Sequence, residues 1–287
     1  MARSPIDARS PIAAHSPIDR GVVVLTGASA GIGREIARLV GPRARVLVIV
    51  ARRRERLEEL AGELTSKSPG LKVDVRPTDL SDPDAAVAMV DAVAAEHGPV
   101  DVLINNAGLG DVMLFEVSDP AKNQRMIDVN VSALVAMTRA VIPAMVQRKG
   151  GGVLMISSGF GLTWLPGLAA YIGTKHFVTG FTESLRCEMA GTGVAITQIC
   201  PGPVATEFEA IAGNPTGEKV PSIIEISAQR CARESIAAFD KRRAMHIPGL
   251  LIRWFTRLGI WTPFWLRRLL YGPIARELRR RIASNAG

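Results

Sequence analysis

"GVVVLTGASAGIGREIARLV", Gly21 to Val40, decides the fold. Val22 to Leu25 form an apolar, β-branched run that closes in Thr26 and Gly27. A turn rich in glycine carries the chain to Gly33, and "GREIARLV" then shows the apolar spacing of a helix. A turn with so little side-chain bulk lets backbone amides and a helix N-terminus approach a pyrophosphate. Such a turn also serves as a plain strand-to-helix connection, so its meaning depends on the segments after it.

The unit repeats. "RVLVIVA", "LKVDVRP", "VDVLINNAG", "GVLMISS" and "VAITQICPG" read as further strands, and "MHIPG" supplies a seventh at the edge. Near-continuous apolar runs suit strands buried on both faces of a parallel sheet. Between them "RRERLEELAGEL", "DPDAAVAMVDAVAAEH", "MIDVNVSALVAMTRAVIPAMV" and "YIGTKHFVTGFTESLRCEMA" have helical periodicity. The alternation predicts an α/β fold, a doubly wound parallel sheet with ligands at the carboxyl ends of its strands.

Composition narrows the functional classes. The 287 residues, 47% hydrophobic and 22% charged, provide core for one large α/β domain or two small ones. Three cysteines without C-x-x-C spacing exclude a disulfide framework and a zinc knuckle, and they place the chain in a reducing, cytoplasmic compartment. Four scattered histidines offer no metal cluster, and no metal is expected. The net charge of +8 is localised: from Lys241 onward there are 11 Lys/Arg against the single acid Glu277, leaving 24 basic and 26 acidic residues elsewhere.

Chemistry-bearing residues gather at strand ends. The second strand runs into "VARRRERL", where an NAD site usually has an acidic residue about twenty positions past its glycine turn to hold the ribose 2′-OH. Arg52 and Arg53 stand there instead. Their guanidinium forks suit a 2′-phosphate, and cations oppose the dipole at a helix start, so NADP(H) is expected over NAD(H). Asp79 in "TDLSD", Asn105 to Gly108 in "NNAG", Ser158 in "ISSGFG" and "CPGPVATEF" occupy other strand ends. In "AAYIGTKHFVTGF" Tyr171 and Lys175 are four apart and share a helix face. A phenol with an ordinary pKa of about 10 becomes a usable acid/base beside a cation.

In its motifs the chain resembles the short-chain dehydrogenase/reductase family over residues 21 to 245. TGxxxGxG, NNAG, a serine thirteen positions ahead of a tyrosine, YxxxK and PG-x-V-x-T occur in the family's order. The resemblance implies a Rossmann-type fold with Tyr171 as general acid/base. Lys175 would bind the nicotinamide ribose and lower the tyrosine pKa, Ser158 would hold the substrate carbonyl, and Asn130 would anchor a water relay to the lysine. It further implies that Gly27, Ser29, Ile32 and Gly33 cradle the pyrophosphate and adjoining ribose, and that Asp79 and Leu80 flank the adenine. Asn106, Ala107 and Gly108 would meet the adenosine ribose, Val204 and Thr206 the carboxamide, with Pro201 and Gly202 in the same cofactor-binding turn. Homodimers or homotetramers are the family's habit. Two departures bear on substrate choice: Gly159-Phe160-Gly161 after the serine, and Ile-Gly-Thr between Tyr171 and Lys175.

Two segments lie outside this scheme. "RSPIDA", "RSPIAA" and "HSPIDR" repeat a hexapeptide whose prolines suit neither helix nor strand, so residues 1–20 read as a disordered arm. In residues 246–287, Trp254, Leu258, Trp261, Trp265 and Leu269 form one helical stripe that Pro263 must interrupt. The charge-free run Leu258 to Leu266 falls short of the ~18 residues a bilayer span needs. The tail over 248–281 reads as a peripheral membrane-surface element ahead of a lid or dimer contact; nucleic acid is not an expected partner. The function read from the whole is NADP(H)-dependent interconversion of a hydrophobic ketone or aldehyde and its alcohol, with substrate entering beneath a flap over 207–226. The alternative is a catalytically idle NADP(H) sensor or membrane-associated adaptor on the same fold.

Overall fold

A computed structural model of the chain describes residues 16–208, 212–213 and 224–285. The first strand, β1 (Val22–Thr26), is buried throughout, and α1 (Gly31–Val40) comes after it as the opening motif requires. The remaining order is β2 (Val46–Ala51), α2 (Arg54–Lys67), β3 (Lys72–Pro77), α3 (Pro83–His97), β4 (Val102–Asn105) and α4 (Pro120–Ile127). Then come α5 (Ala133–Gln147), β5 (Gly152–Ile156), α6 (Ala169–Glu188) and β6 (Ala195–Ile199). Two short strands, β7 (Val204–Ala205) and β8 (Ile226–Ser227), precede α7 (Ala228–Asp240), β9 (Met245–His246), α8 (Leu250–Trp261) and α9 (Phe264–Asn285).

Seven strands form one parallel sheet in the order β3-β2-β1-β4-β5-β6-β9, so all seven expected strands are present and "MHIPG" supplies the edge. Because side chains alternate along a strand, β1 serves two cores. Val22 and Val24 pack with α3, α5 and α6 through Met89, Met137 and Val178; Val23 and Leu25 pack with α1, α2 and α7 through Ile36, Leu60 and Phe239. The strand order reverses between β1 and β4. Loops leaving those two strands diverge there and leave a crevice at their carboxyl ends.

Four features differ from the sequence expectation. The apolar run from Met126 is helical throughout, as expected, but a π-helical turn at Asp128–Ser132 interrupts the α-helical pattern between α4 and α5. Helix α7 is an addition to the expected elements, with Cys231, Ser235 and Phe239 recurring at i, i+4 and i+8 on its buried side. The two-residue pairing of β7 with β8 ties Val204, just ahead of the expected flap, to Ile226 at its end; most of that flap lies outside the described residues. The arm expected over 1–20 ends earlier than Arg20. Residues 1–15 lie outside the described residues, but Ile18 is fully buried in the α1/α2 core, and Asp19 pairs with Arg43 at 2.7 Å. Burial of one isoleucine and that ion pair carry the folded body back to Ser16.

Candidate active site

The turn after β1 is built around backbone proximity. Gly27 has φ +68°, and a Cβ there would sit 2.8 Å from the Ala107 Cα; a Cβ on Gly33 would meet the Gly27 carbonyl at 2.2 Å. Thr26 clamps the two central loops together: its hydroxyl donates to the Ile104 carbonyl and accepts from the amides of Asn106 and Ala107, both at 3.0 Å. Asn106 donates back to the carbonyls of Thr26 and Gly27. Helix α1 starts after Ala30, which has no side chain to cap it, so its first-turn amides near Ile32 are left for a ligand anion. Ser29 is nearly buried beside them, and Thr206 packs against Gly31 from above.

Arg53 comes from the end of β2 to this same spot and donates to the Ser29 hydroxyl at 3.1 Å. One turn along α2, Arg56 joins it, and both guanidiniums hold the Glu207 carboxylate, at 2.5 Å from Arg56 and 3.1 Å from Arg53. These bonds, Arg56 first, keep Glu207 below the usual carboxylate range. Arg56 is not among the residues that the sequence motifs single out; its i+3 spacing from Arg53 is the available signal. Arg52 is exposed and is not part of this cluster. Asp79 accepts from Ser81 and pairs with Arg125 at 2.8 Å; burial works to raise its carboxyl, but these partners hold it low. Leu80 is buried beside it.

Across the crevice, α6 presents Tyr171 and Lys175 on its buried face. Burial pushes the Tyr171 phenol up to about 12, with a hydrogen bond from Ser158 acting the other way. Lys175 is itself buried, its Nζ donates to the Ile156 carbonyl at 3.2 Å, and it lies 5.8 Å from the tyrosine ring centre. Burial draws the ammonium down to about 8. The same burial sends the neighbouring Cys200 thiol up to about 12.

Asn130 sits in the π-helical turn and is almost fully buried. Its Oδ1 accepts from the Leu109 amide at 2.8 Å, while its Nδ2 donates to the Leu109 carbonyl and to the Thr174 hydroxyl. A single side chain thereby joins the β4 loop to the helix that carries Tyr171 and Lys175. Gly108 lies against both ends: a Cβ on it would sit 3.4 Å from the Lys175 Nζ and 3.5 Å from the Asn130 Oδ1. Ser158 lies beyond β5 at the start of a 3-10 turn, where its hydroxyl accepts from the Phe160 amide.

The mouth of the site is apolar. Phe160 meets the Tyr171 ring edge-on at 6.4 Å, and Phe208 lies tilted over it at 5.6 Å. Leu109, Val112, Trp164, Leu165 and Leu168 complete that cluster. Pro201, Gly202 and Val204 line the β6 exit, with Gly202 packed under Ile252 of α8.

An open α/β crevice with a glycine cradle, an uncapped helix start, and a Ser-Tyr-Lys set facing them defines a dinucleotide-dependent oxidoreductase. Comparison with known proteins gives the family. The short chain dehydrogenase family model matches residues 21–214. Dehydrogenase/reductase SDR family member 7B of Bos taurus is 36% identical over 231 residues, covering 77% of this chain and 71% of the relative. Sulfoacetaldehyde reductase 2 of Chromohalobacter salexigens is 36% identical over 189 residues, covering 65% and 74%. Among solved structures, a short-chain dehydrogenase from Sphingobium yanoikuyae in complex with NADPH superposes with a TM-score of 0.73 at 30% identity, over 83% of this chain and 92% of that one. A Burkholderia phymatum member in complex with NAD gives 0.74 at 25% identity, over 84% and 93%. The chain belongs to the short-chain dehydrogenase/reductase family and is an oxidoreductase of the nicotinamide-cofactor class.

Proposed function

We propose that the chain is an NADP(H)-dependent carbonyl reductase acting, in either direction, on a hydrophobic ketone or aldehyde and its alcohol. The observation that carries this reading is Tyr171, a buried phenol whose pKa Ser158 works to lower, set within an apolar cluster that includes Phe160 and Phe208. The nicotinamide, when bound, supplies or accepts the hydride. Everything else falls to the protein's own groups. With its pKa near 12, Tyr171 is protonated at neutral pH and donates to the carbonyl oxygen as that oxygen gains charge. Ser158 holds the same oxygen in line with the phenol. Lys175 places a cation beside the phenolate that remains after transfer. Asn130 acts as a positioning residue, holding Leu109 and Thr174 so that α6 and the β4 loop keep their spacing.

Arg53 and Arg56 support NADP(H) over NAD(H), since their guanidiniums converge beside Ser29 at the ribose end of the cradle. Phe160, Trp164, Leu165 and Phe208 support an apolar substrate, because a polar one would lose water there without gaining partners. NADPH and NADH oxidation across ketones and aldehydes of rising chain length and ring number tests this directly. The expected result is turnover with NADPH above NADH, improving with apolar size. NADPH binding without turnover across that panel would return the chain to the idle-sensor alternative.

A further inference from the structure

The inner and outer faces of the C-terminal helix pair differ in kind. Inside, Ile252 of α8 packs with Cys200, Ile247 and Leu162. Arg267 of α9 is almost fully buried with its guanidinium 4.3 Å from the Trp164 ring, and Leu278 fills the space over Gly167. Arg279 pairs with Glu116 at 2.6 Å. These contacts seat the pair on the loops that leave β4, β5 and β6, the last two of which bear Ser158 and Gly202. Outside, Trp254 is 71% exposed, Leu258 68%, Trp261 84%, Trp265 68% and Leu269 66%. Leu250, Leu270 and Ile274 extend the same apolar surface. Three tryptophans at such exposure on a face already fixed in place constitute an unpartnered apolar patch.

The charge around the patch selects its partner. Arg268, Arg276 and Arg280 are exposed beside and beyond it, and Glu277 is the only acid after Lys241. The body has no comparable excess: 24 basic residues stand against 26 acidic ones before Lys241. An apolar face carrying tryptophan, rimmed by arginine and borne on helices too charged to span, matches the headgroup boundary of an anionic bilayer.

We propose that the outward face of α8 and α9 docks on an anionic lipid surface, so that the loops around the active site lie against the membrane. The lipid contact stands on the tail alone; its use in drawing a lipophilic carbonyl from the bilayer rests on the reductase reading. Helix α8 then acts as a floor between site and lipid, with Ile252 over Gly202 and Leu162 where substrate passes.

The experiment is co-sedimentation of the full chain with phosphatidylglycerol-rich vesicles and with pure phosphatidylcholine vesicles, alongside tryptophan emission. A triple variant, Trp254→Ser/Trp261→Ser/Trp265→Ser, and a charge variant, Arg276→Glu/Arg280→Glu, run beside it. All five side chains are exposed, and far-UV circular dichroism with a thermal melt checks that the fold is intact. The proposal expects binding to the anionic vesicles with a blue-shifted emission. The triple variant should weaken partitioning by at least about tenfold, and each charge reversal by roughly fivefold or more. Equal partitioning of wild type and triple variant, or none to anionic vesicles, would overturn it. So would a concentration-dependent oligomer that the triple variant dissolves, which would mean that a second copy of the chain covers the face. Vesicle binding is read without turnover, so failure of the reductase reading leaves this result interpretable.

Discussion

Lys175 is the residue on which folding and chemistry pull in opposite directions. Its ammonium is buried with the Ile156 carbonyl as acceptor, and burial lowers its pKa from 10.5 to about 8. A lysine whose folded value lies below its ordinary one binds its proton more weakly in the folded state. The resulting destabilisation is full below pH 8 and fades as pH rises from 8 towards 10.5. The shift corresponds to at most about 3 kcal/mol. Lys175→Met should therefore raise the Tm relative to wild type at pH 7 and lose that advantage progressively as pH rises from 8 towards 10.5, while abolishing turnover. Thermal melts across pH would show it. In the native enzyme the same titration removes the cation beside Tyr171, so kcat for reduction should fall on the alkaline side with an apparent pKa near 8. Arg53 and Arg56 make a second prediction at this scale. Loss of either should weaken NADPH by about tenfold or more and leave NADH nearly unchanged, since each contributes a charge-assisted contact. Glu207→Gln should strengthen NADPH a few-fold by about the margin of one surface ion pair, because its carboxylate competes for both arginines. Titrations of cofactor binding would check all three variants.

At the scale of elements, the legible part of the molecule is the part with a strict period. Strands β1, β4, β5 and β6 announce themselves because each is a largely apolar run closing near Gly, Pro or Asn, and the loops after them carry the site. The π-helical turn at Asp128–Ser132 is hidden in the sequence because a single widened turn keeps nearly the same apolar spacing as the α-helices on either side. What it accomplishes shows only in space: it turns Asn130 towards Leu109 and Thr174. Asn130→Ala would leave the Leu109 amide and carbonyl without that partner, costing about 1–3 kcal/mol. Urea unfolding should register the loss, together with a lower kcat from a site no longer held in register. Helix α7 is hard to see in the sequence because its buried face is made largely of small residues, Cys231, Ala232, Ser235 and Ala238, around Ile236 and Phe239. Gly161 makes a related point: a Cβ there would sit 2.5 Å from the Thr179 hydroxyl and 2.7 Å from the Lys175 carbonyl. The "GFG" after Ser158 is the closest approach of that loop to α6, where bulk would push Ser158 off Tyr171.

Across the whole molecule, the body begins earlier and ends later than the matched family region. At the start, Ile18 is fully buried and Arg43 joins Asp19 to Asp240, so the last residues of the hexapeptide series belong to the α1/α2/α7 core. The repeat pattern conceals this, because one buried isoleucine among prolines has no period to reveal it. Ile18→Ala should cost about 2–5 kcal/mol in urea unfolding. At the end, the exposed tryptophan stripe is legible in residues 254–269, but the seating of α9 through Arg267 on Trp164 requires the fold. The central claim, reduction driven by proton donation from Tyr171, is tested most directly by comparing wild type with Tyr171→Phe in NADPH oxidation, with NADPH affinity measured for both. The account expects unchanged affinity and a kcat lower by about 10²–10⁴. Equal turnover by the two proteins would contradict it and move the proton donor elsewhere in the site.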